Sequence, residues 1–168
     1  MKFSLALLSL IVLLWCPPAS AEYCKVDDEG KVKSCIYKVD RIPHNSQIVI
    51  SYTRQGWSML IVVFMDEFAI IEGPATVQTK GGKKHTIEHI STQRDMVSSG
   101  RMMEAAYYKV SEELLRELGQ AKGKVRFWLQ GEDIRKDKEV EVAASLFSDM
   151  DAYIEETKTA LAVLFQDE

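Results

Sequence analysis

The chain has 168 residues, of which 46% are hydrophobic, and a formal net charge of −4. This length is typical of one compact domain, and the composition is sufficient for a substantial core. The acidic balance disfavours general binding to nucleic acid or to an anionic membrane surface, because such binding depends on Lys and Arg neutralising phosphate charge. We therefore expect no nucleic-acid partner.

Residues 1 to 21 have the pattern of a secretory signal peptide. Met1-Lys2 precedes a largely apolar run from Phe3 to Trp15, and the segment ends in the small residues Ala19-Ser20-Ala21. The run is shorter than the roughly 20 apolar residues that a transmembrane helix needs. We expect cleavage near Ala21, a single domain over residues 22–168 without a transmembrane helix, and a periplasmic or secreted location.

The cysteines agree with export. Cys16 lies inside the expected leader, and Trp15 stands where a lipoprotein signal has a small residue, so we do not expect lipid attachment there. Cys24 and Cys35 then remain, and two cysteines in an oxidising compartment most simply form one disulfide. The turn sequence at residues 27–30 lies between them, which predicts a stapled N-terminal hairpin over residues 22–39.

Several strands follow. Gln47 to Thr53 alternates apolar and polar residues, and Trp57 to Met65 is dense in β-branched and aromatic residues. These two runs predict a hairpin whose second strand is apolar on both faces and therefore central in a sheet. Phe68 to Ile71 and Ala75 to Thr79 predict two more short strands around a Glu-Gly-Pro turn.

The pattern weakens from Lys83 to Arg101, where polar residues interrupt any apolar period, and residues 98–100 have the composition of a mobile loop. Met102 to Val110 regains strand character. Ser111 can then cap a helix over about residues 111–121, because two acidic residues follow in its first turn.

The C-terminal part predicts a second strand pair and a closing helix. Val125 to Leu129 and Glu139 to Ala143 are joined by a charged turn, and apolar residues recur at helical spacing from about Leu146 to Leu164. The predicted fold is α+β and mainly β, with an antiparallel sheet or β-sandwich and helices at about residues 111–121 and 146–164.

One motif suggests metal chemistry. His85-Thr86-Ile87-Glu88-His89 matches the His-x-x-Glu-His pattern of a class of zinc peptidases. That chemistry needs a helix, on which both histidines share a face with the catalytic Glu. The neighbouring residues favour a strand, which places Glu88 opposite His85 and His89. The favoured interpretation is ordinary histidines, with no catalytic residue, metal or cofactor; a zinc-dependent hydrolase is the alternative.

Two pairs of residues are candidates for contact with a partner. Lys83 and Lys84 belong to the concentrated basic patch of the chain, and Met102 and Met103 offer an adaptable apolar contact. Each pair has a simpler interpretation, which is a solvated turn for the lysines and core packing for the methionines.

The order of elements from Gly73 onward carries a family resemblance. The stretches concerned are Ala75-Thr76-Val77-Gln78, Val110-Ser111-Glu112-Glu113-Leu114-Leu115, Val125-Arg126-Phe127 and Val140-Glu141-Val142-Ala143-Ala144-Ser145-Leu146. In this order they resemble the bacterial invasion-associated locus B (IalB-like) family of exported proteins. That family tends to carry a second cysteine pair before the middle strand and Gly-Phe after the closing Ser-Leu, and this chain has neither.

The resemblance implies a non-enzymatic envelope protein with a β-sandwich-like fold. Together with the leader and the single disulfide, it leads to one main hypothesis: an exported, non-catalytic binding or accessory protein of the bacterial cell envelope, acting through a protein or envelope partner. The alternatives are the zinc-dependent hydrolase and an inhibitor of a secreted enzyme.

Overall fold

The computed structural model describes residues 23–26, 32–39, 42, 46–53, 56–79, 81, 83–97, 99–133 and 136–164. The expected signal peptide, Cys16 and the turn at residues 27–30 lie outside these residues. No helix in the described ranges is both long enough and apolar enough to span a bilayer.

Within these ranges the chain forms nine strands, two α-helices and a 3-10 turn. The strands are β1 (Cys24–Val26), β2 (Val32–Val39), β3 (Gln47–Thr53), β4 (Gly56–Met65), β5 (Ala75–Thr79), β6 (Lys84–Met96), β7 (Met102–Lys109), β8 (Lys124–Leu129) and β9 (Lys138–Ala143). The helices are α1 (Glu112–Gln120) and α2 (Met150–Leu164), and the 3-10 turn is Ala144–Phe147.

The strands form one antiparallel sheet in the order β1-β2-β3-β4-β7-β6-β5-β8-β9. The sheet is β-sandwich-like, and both helices belong to the C-terminal half of the chain. The predicted α+β, mainly β fold is therefore confirmed.

Strand β6 joins two parts of the sheet. Its first residues, up to Ile87, pair with β5, whereas the residues from Glu88 onward pair with β7. The register shifts between His89 and Ser91, so Ile90 has no partner residue on β7 and forms a β-bulge. We call β1 to β4, β7 and residues 88–96 of β6 the large half of the sheet.

One core lies between the sheet and the helices. Along β4, Trp57, Met59 and Ile61 are buried and alternate with the half-buried Ser58 and Leu60, because successive side chains of a strand point to opposite faces. The buried face, which we call the inner face, packs against α2: the hydroxyl of Tyr153 lies 2.9 Å from the carbonyl oxygen of Ile50. The opposite side of the large half is the outer face.

The predicted helices follow from local signals. Ser111 Oγ accepts the N–H of Leu114 at 3.1 Å and caps α1, which buries Leu114, Leu115 and Leu118. The predicted helix from Leu146 is divided, since residues 144–147 form the 3-10 turn and α2 begins at Met150. Phe147 of the turn is buried with its ring 6.4 Å from that of Phe127.

The N-terminal disulfide is as predicted. Cys24 and Cys35 are directly opposite in the β1–β2 register and form a disulfide in which both residues are buried. Glu156 Oε1 of α2 accepts the backbone N–H of Tyr23 at 2.8 Å and that of Cys24 at 2.9 Å. Strand β1 is thus held by β2 and by the last helix.

One local prediction is wrong, and one strand is longer than predicted. Residues 68–71 are not a strand; they belong to a segment that crosses the inner face, where the carboxylate of Glu104 binds the N–H groups of Ile70 and Ile71. The strand favoured at the histidine motif is confirmed, but it continues well beyond the motif, since residues 84–96 form the long strand β6. Beyond the motif, its polar, exposed residues gave no apolar alternation from which this length could be predicted.

Candidate functional site

The two histidines of the zinc-peptidase motif lie on the inner side of β6 with separate partners. His85 Nε2 lies 2.7 Å from Glu117 Oε2 on α1, and Thr79 Oγ1 donates to the other oxygen of the same carboxylate at 3.1 Å. His85 therefore belongs to a contact between the sheet and α1.

His89 belongs to a second contact, four residues further along β6. Thr92 Oγ1 donates to the carbonyl oxygen of Ile71 at 2.5 Å, so the hydrogen bond between His89 Nε2 and Thr92 Oγ1, at 2.7 Å, is donated by the histidine. Glu88 is exposed and pairs with Lys109 on the outer face. Among the described residues, no group of three or more His, Cys, Asp or Glu side chains has the arrangement of a metal site.

The other predicted contact residues lie at opposite ends of β6. Lys83 is exposed, and the Lys84 ammonium lies 5.5 Å from the centre of the Trp128 ring, a cation–π contact. Met102 and Met103 pair with the last residues of β6, about 40 Å away at the usual rise of a strand. The two pairs therefore do not form one surface.

The outer face of the large half carries a groove of about 720 Å³ between β3, β4, β7 and β6. Cross-strand pairing aligns Ser51, Ser58, Lys109 and Glu88 in one row at this groove. Ser51 and Ser58 are joined by a hydrogen bond of 3.0 Å between their hydroxyl oxygens. Tyr107 of β7 also lines the groove.

Two further rows lie next to the serine row on this face. The first is Val49, Leu60 and Tyr107, all half-buried. The second is Gln47, Val62 and Ala105, with Gln93 of β6 beside it. On β3, β4 and β7 these rows contain no charged residue.

Charged residues surround these two rows, which form the uncharged centre of the outer face. Lys38 lies beside Val49 on β2, Lys109 and Glu88 end the serine row, and Asp95 of β6 pairs with Met103. A protein interface has this anatomy, because its buried centre is depleted of charge and enriched in aromatic and aliphatic side chains, whereas its rim is polar. The arrangement is suited to binding a macromolecule.

A buried polar cluster supports the opposite side of β7 and β6. The Glu104 carboxylate is fully buried, and Arg94 Nε lies 3.8 Å from it. The Tyr108 hydroxyl is also buried and has no hydrogen-bond partner among the described residues. Burial, with the nearby Glu104 charge as a smaller cause, raises the pKa of this hydroxyl well above its usual value.

The sequence offered partial signals for these features. Glu104 is the one acidic residue within the apolar segment Met102–Tyr108, and such a position is a sign of a buried, hydrogen-bonded carboxylate. The groove had no comparable signal, since its residues come from four strands and are aligned only by the sheet. Tyr107 is separated by about 50 residues from Ser51 and Ser58.

Comparison with known proteins adds no assignment. No protein-family model matches the chain, and no curated protein or solved structure matches it with significant similarity. The candidate site is therefore defined by the geometry alone.

Proposed function

We propose that this chain is an exported, non-catalytic binding or accessory protein of the bacterial cell envelope, and that it binds a protein partner through the outer face. The observation that carries the proposal is the uncharged centre around Leu60 and Tyr107, bordered by charged residues, on the side of the large half that faces away from α2.

The chemistry of this face favours a protein partner. Covering the half-buried Val49, Leu60 and Tyr107 would remove apolar surface from water, which contributes roughly 25 cal/mol per Å². Tyr107 and the paired hydroxyls of Ser51 and Ser58 add hydrogen-bonding groups beside that surface. Aromatic rings and small hydroxyl side chains are typical of surfaces that recognise proteins.

Two features support export to the envelope. The sequence predicts a signal peptide over residues 1–21, and the buried disulfide between Cys24 and Cys35 is of the kind that forms in oxidising compartments. We propose the periplasm as the location. An inhibitor of a secreted enzyme is a special case of this proposal, in which the bound protein is the enzyme.

The hydrolase alternative gains no support from the arrangement of the motif. His85 and His89 bind different parts of the molecule, and Glu88 lies on the other side of the strand. A single metal ion held by both histidines would leave Glu88 without access to the bound water.

The test is site-specific photo-crosslinking in cells that contain the native envelope. A photoreactive aromatic residue at position 107 should capture a defined protein, because Tyr107 lies at the centre of the outer face. The same group at Glu113, which is exposed on α1, is the matched control. Capture of the same proteins from both positions, or of none from position 107, would overturn the proposal.

A charge at the centre provides a second arm of the test. Leu60→Lys should abolish the crosslink from position 107 while circular dichroism and the native disulfide are retained, since a lysine would be desolvated in the interface. Ala152→Lys, on the exposed side of α2, should leave the crosslink unchanged. An unchanged crosslink in Leu60→Lys would show that the partner binds elsewhere.

A further inference from the structure

Strand β6 has an open edge. β7 pairs with one side of its residues 88–96, but on the other side β5 reaches only as far as Ile87. Among the described strands, none pairs with the second edge of residues 90–96. Alternate backbone N–H and C=O groups on this edge are directed away from β7, as in any edge strand.

The residues of this edge have only part of the usual protection against pairing, namely the bulge at Ile90 and the inward-facing charge of Arg94. Ile90 and Met96, at its two ends, are 52% and 62% exposed, the highest values among the large hydrophobic residues described. Arg94 and Asp95 carry opposite charges, and the segment contains no lysine and no proline. Edge strands that avoid association are usually short, charged with lysine, interrupted by proline, or twisted away by a bulge; here the bulge lies at the end of the open edge and leaves residues 91–96 regular.

We propose that β6 pairs with β6 of a second copy of this chain, antiparallel and with Gln93 on the two-fold axis, so that the two sheets become one continuous sheet. This inference concerns the edge of the sheet and does not depend on the proposed function of the outer face.

The chemistry of the edge selects this register. A two-fold axis perpendicular to the sheet places residues of the same face opposite each other. An axis at Arg94 or Asp95 would bring identical charges together, which is destabilising. An axis at Gln93, the midpoint of residues 90–96, uses the whole open edge.

The same register makes the two edges complementary. Ser91 of one copy lies opposite Asp95 of the other, so that the hydroxyl can donate to the carboxylate, and Thr92 lies opposite Arg94. Met96 of each copy comes beside the bulge at Ile90 of the other, which covers the two most exposed apolar side chains. The edge therefore fits a copy of itself, which is the reason for choosing a second copy over an unrelated peptide.

Association in this register has a geometric consequence for the groove. The axis is perpendicular to the sheet, so the outer faces of both copies lie on the same side. Gln93 and Ser91 line the groove of their own copy, and the two grooves would lie next to each other across the axis. A dimer would present them as one double surface.

Disulfide trapping tests the register. Residues on the axis of an antiparallel pair have Cα atoms about 4.5 to 5.5 Å apart, which is within the range of a disulfide. Gln93→Cys in the chain 22–168 should therefore form a covalent dimer under mild oxidation. Asp95→Cys alone should not, because the two copies of position 95 are about 13 Å apart, whereas Ser91→Cys/Asp95→Cys should.

Sedimentation of the unmodified chain 22–168 measures dimer formation without any of these substitutions. We expect a species of twice the monomer mass at protein concentrations of about 100 μM. Glu139→Cys, on the exposed part of β9, is the control for non-specific oxidation. A monomer by sedimentation, or trapping of Gln93→Cys no greater than that of Glu139→Cys, overturns the proposal. Trapping of Gln93→Cys to a different protein would assign the edge to that partner instead.

Discussion

The buried carboxylate of Glu104 accepts the backbone N–H of Ile71 at 2.7 Å, and its other oxygen accepts the N–H of Ile70 at 2.8 Å. Ile70 has φ of 57°, the only positive value among the described residues other than glycine. A β-branched residue rarely adopts this conformation, because its Cβ approaches the neighbouring carbonyl oxygen. Glu104 thus stabilises a backbone conformation that Ile70 itself disfavours.

Removing this carboxylate should destabilise the protein. We expect Glu104→Ala to lower the free energy of unfolding by about 3 kcal/mol, because two N–H groups lose their acceptor in a buried place. Urea denaturation measures the change. Glu72→Ala, which removes an exposed ion pair with Arg94, is the control and should cost less than about 1 kcal/mol. Equal effects of the two substitutions would contradict this role of Glu104.

The conformation of Ile70 predicts that glycine at this position gives a more stable protein than alanine, the reverse of the usual order. We expect Ile70→Gly to be more stable than Ile70→Ala by about 1 kcal/mol, since glycine adopts positive φ without the steric cost. Both variants lose the apolar side chain beyond Cβ, so the comparison reports mainly on the backbone. If alanine is the more stable of the two by urea denaturation, the strain at this residue is not significant.

Removing the hydroxyl group from each of two buried tyrosines should have different effects on the stability of the protein. The Tyr108 hydroxyl lacks a partner among the described residues, so Tyr108→Phe should leave the stability unchanged or raise it by up to about 1 kcal/mol. The Tyr153 hydroxyl lies 2.9 Å from the carbonyl oxygen of Ile50, so Tyr153→Phe should lower it by about 1 kcal/mol. Thermal unfolding of both variants measures this; similar losses would mean that Tyr108 also has a partner in solution.

The disulfide should provide a substantial share of the stability. Cys24 and Cys35 are 11 residues apart, and closing a loop of this size contributes roughly 3 kcal/mol in the chain-entropy model. The double variant Cys24→Ala/Cys35→Ala should therefore unfold at a lower urea concentration than the oxidised protein. Reductant should also lower the urea concentration at which the unmodified protein unfolds, and it should leave that of the double variant unchanged. If reductant also lowers the urea concentration at which the double variant unfolds, the effect of reductant does not come from this disulfide.

The ion pairs between α1 and α2 predict a pH dependence. A hydrogen bond from Lys158, together with Arg116, lowers the pKa of the Glu112 carboxyl below its usual 4.5. A carboxyl with a lowered folded-state pKa contributes stability above its unfolded-state pKa, and the contribution is lost as the pH falls through the folded-state value. Glu112→Gln should thus be less stable than the unmodified protein at pH 7, and the difference should shrink at acidic pH.

The neighbouring residue offers the control for this measurement. Glu113 is exposed on α1, and Glu113→Gln should show little difference from the unmodified protein at either pH. Urea denaturation at pH 7 and pH 3 compares the three proteins. A deficit of Glu112→Gln that persists at pH 3 would show that packing, and not charge, is responsible.

Local sequence patterns predicted the elements that bury one face. Alternation of apolar residues indicated β3, because burial of one side of a strand imposes a period of two, and dense β-branched or aromatic residues indicated β4 and β7. Beyond residues 85–89, β6 could not be predicted in this way, since Ile87 is the only buried residue of its 13. Its conformation is fixed by pairing with β7.

Non-local contacts explain the other failures of prediction. Residues 68–71 have the composition of a strand, but their conformation depends on Glu104, which is 33 residues from Ile71 in sequence. Leu60 lies on a strand that is apolar on both faces, and the sequence does not say which face α2 covers. The groove could be found only after the register of four strands was known.

The contact of Glu156 with Tyr23 and Cys24 spans more than 130 residues of the chain. A chain that emerges from its N-terminus presents β1 long before the carboxylate that binds its N–H groups, and non-local contacts form slowly because a long loop must close. We therefore expect the contact between β1 and α2 to form late in folding, after β1 has paired with the nearby β2. In that order of events, the disulfide between Cys24 and Cys35 can form before α2 covers β1, and it would then hold the first strand in place for this last contact.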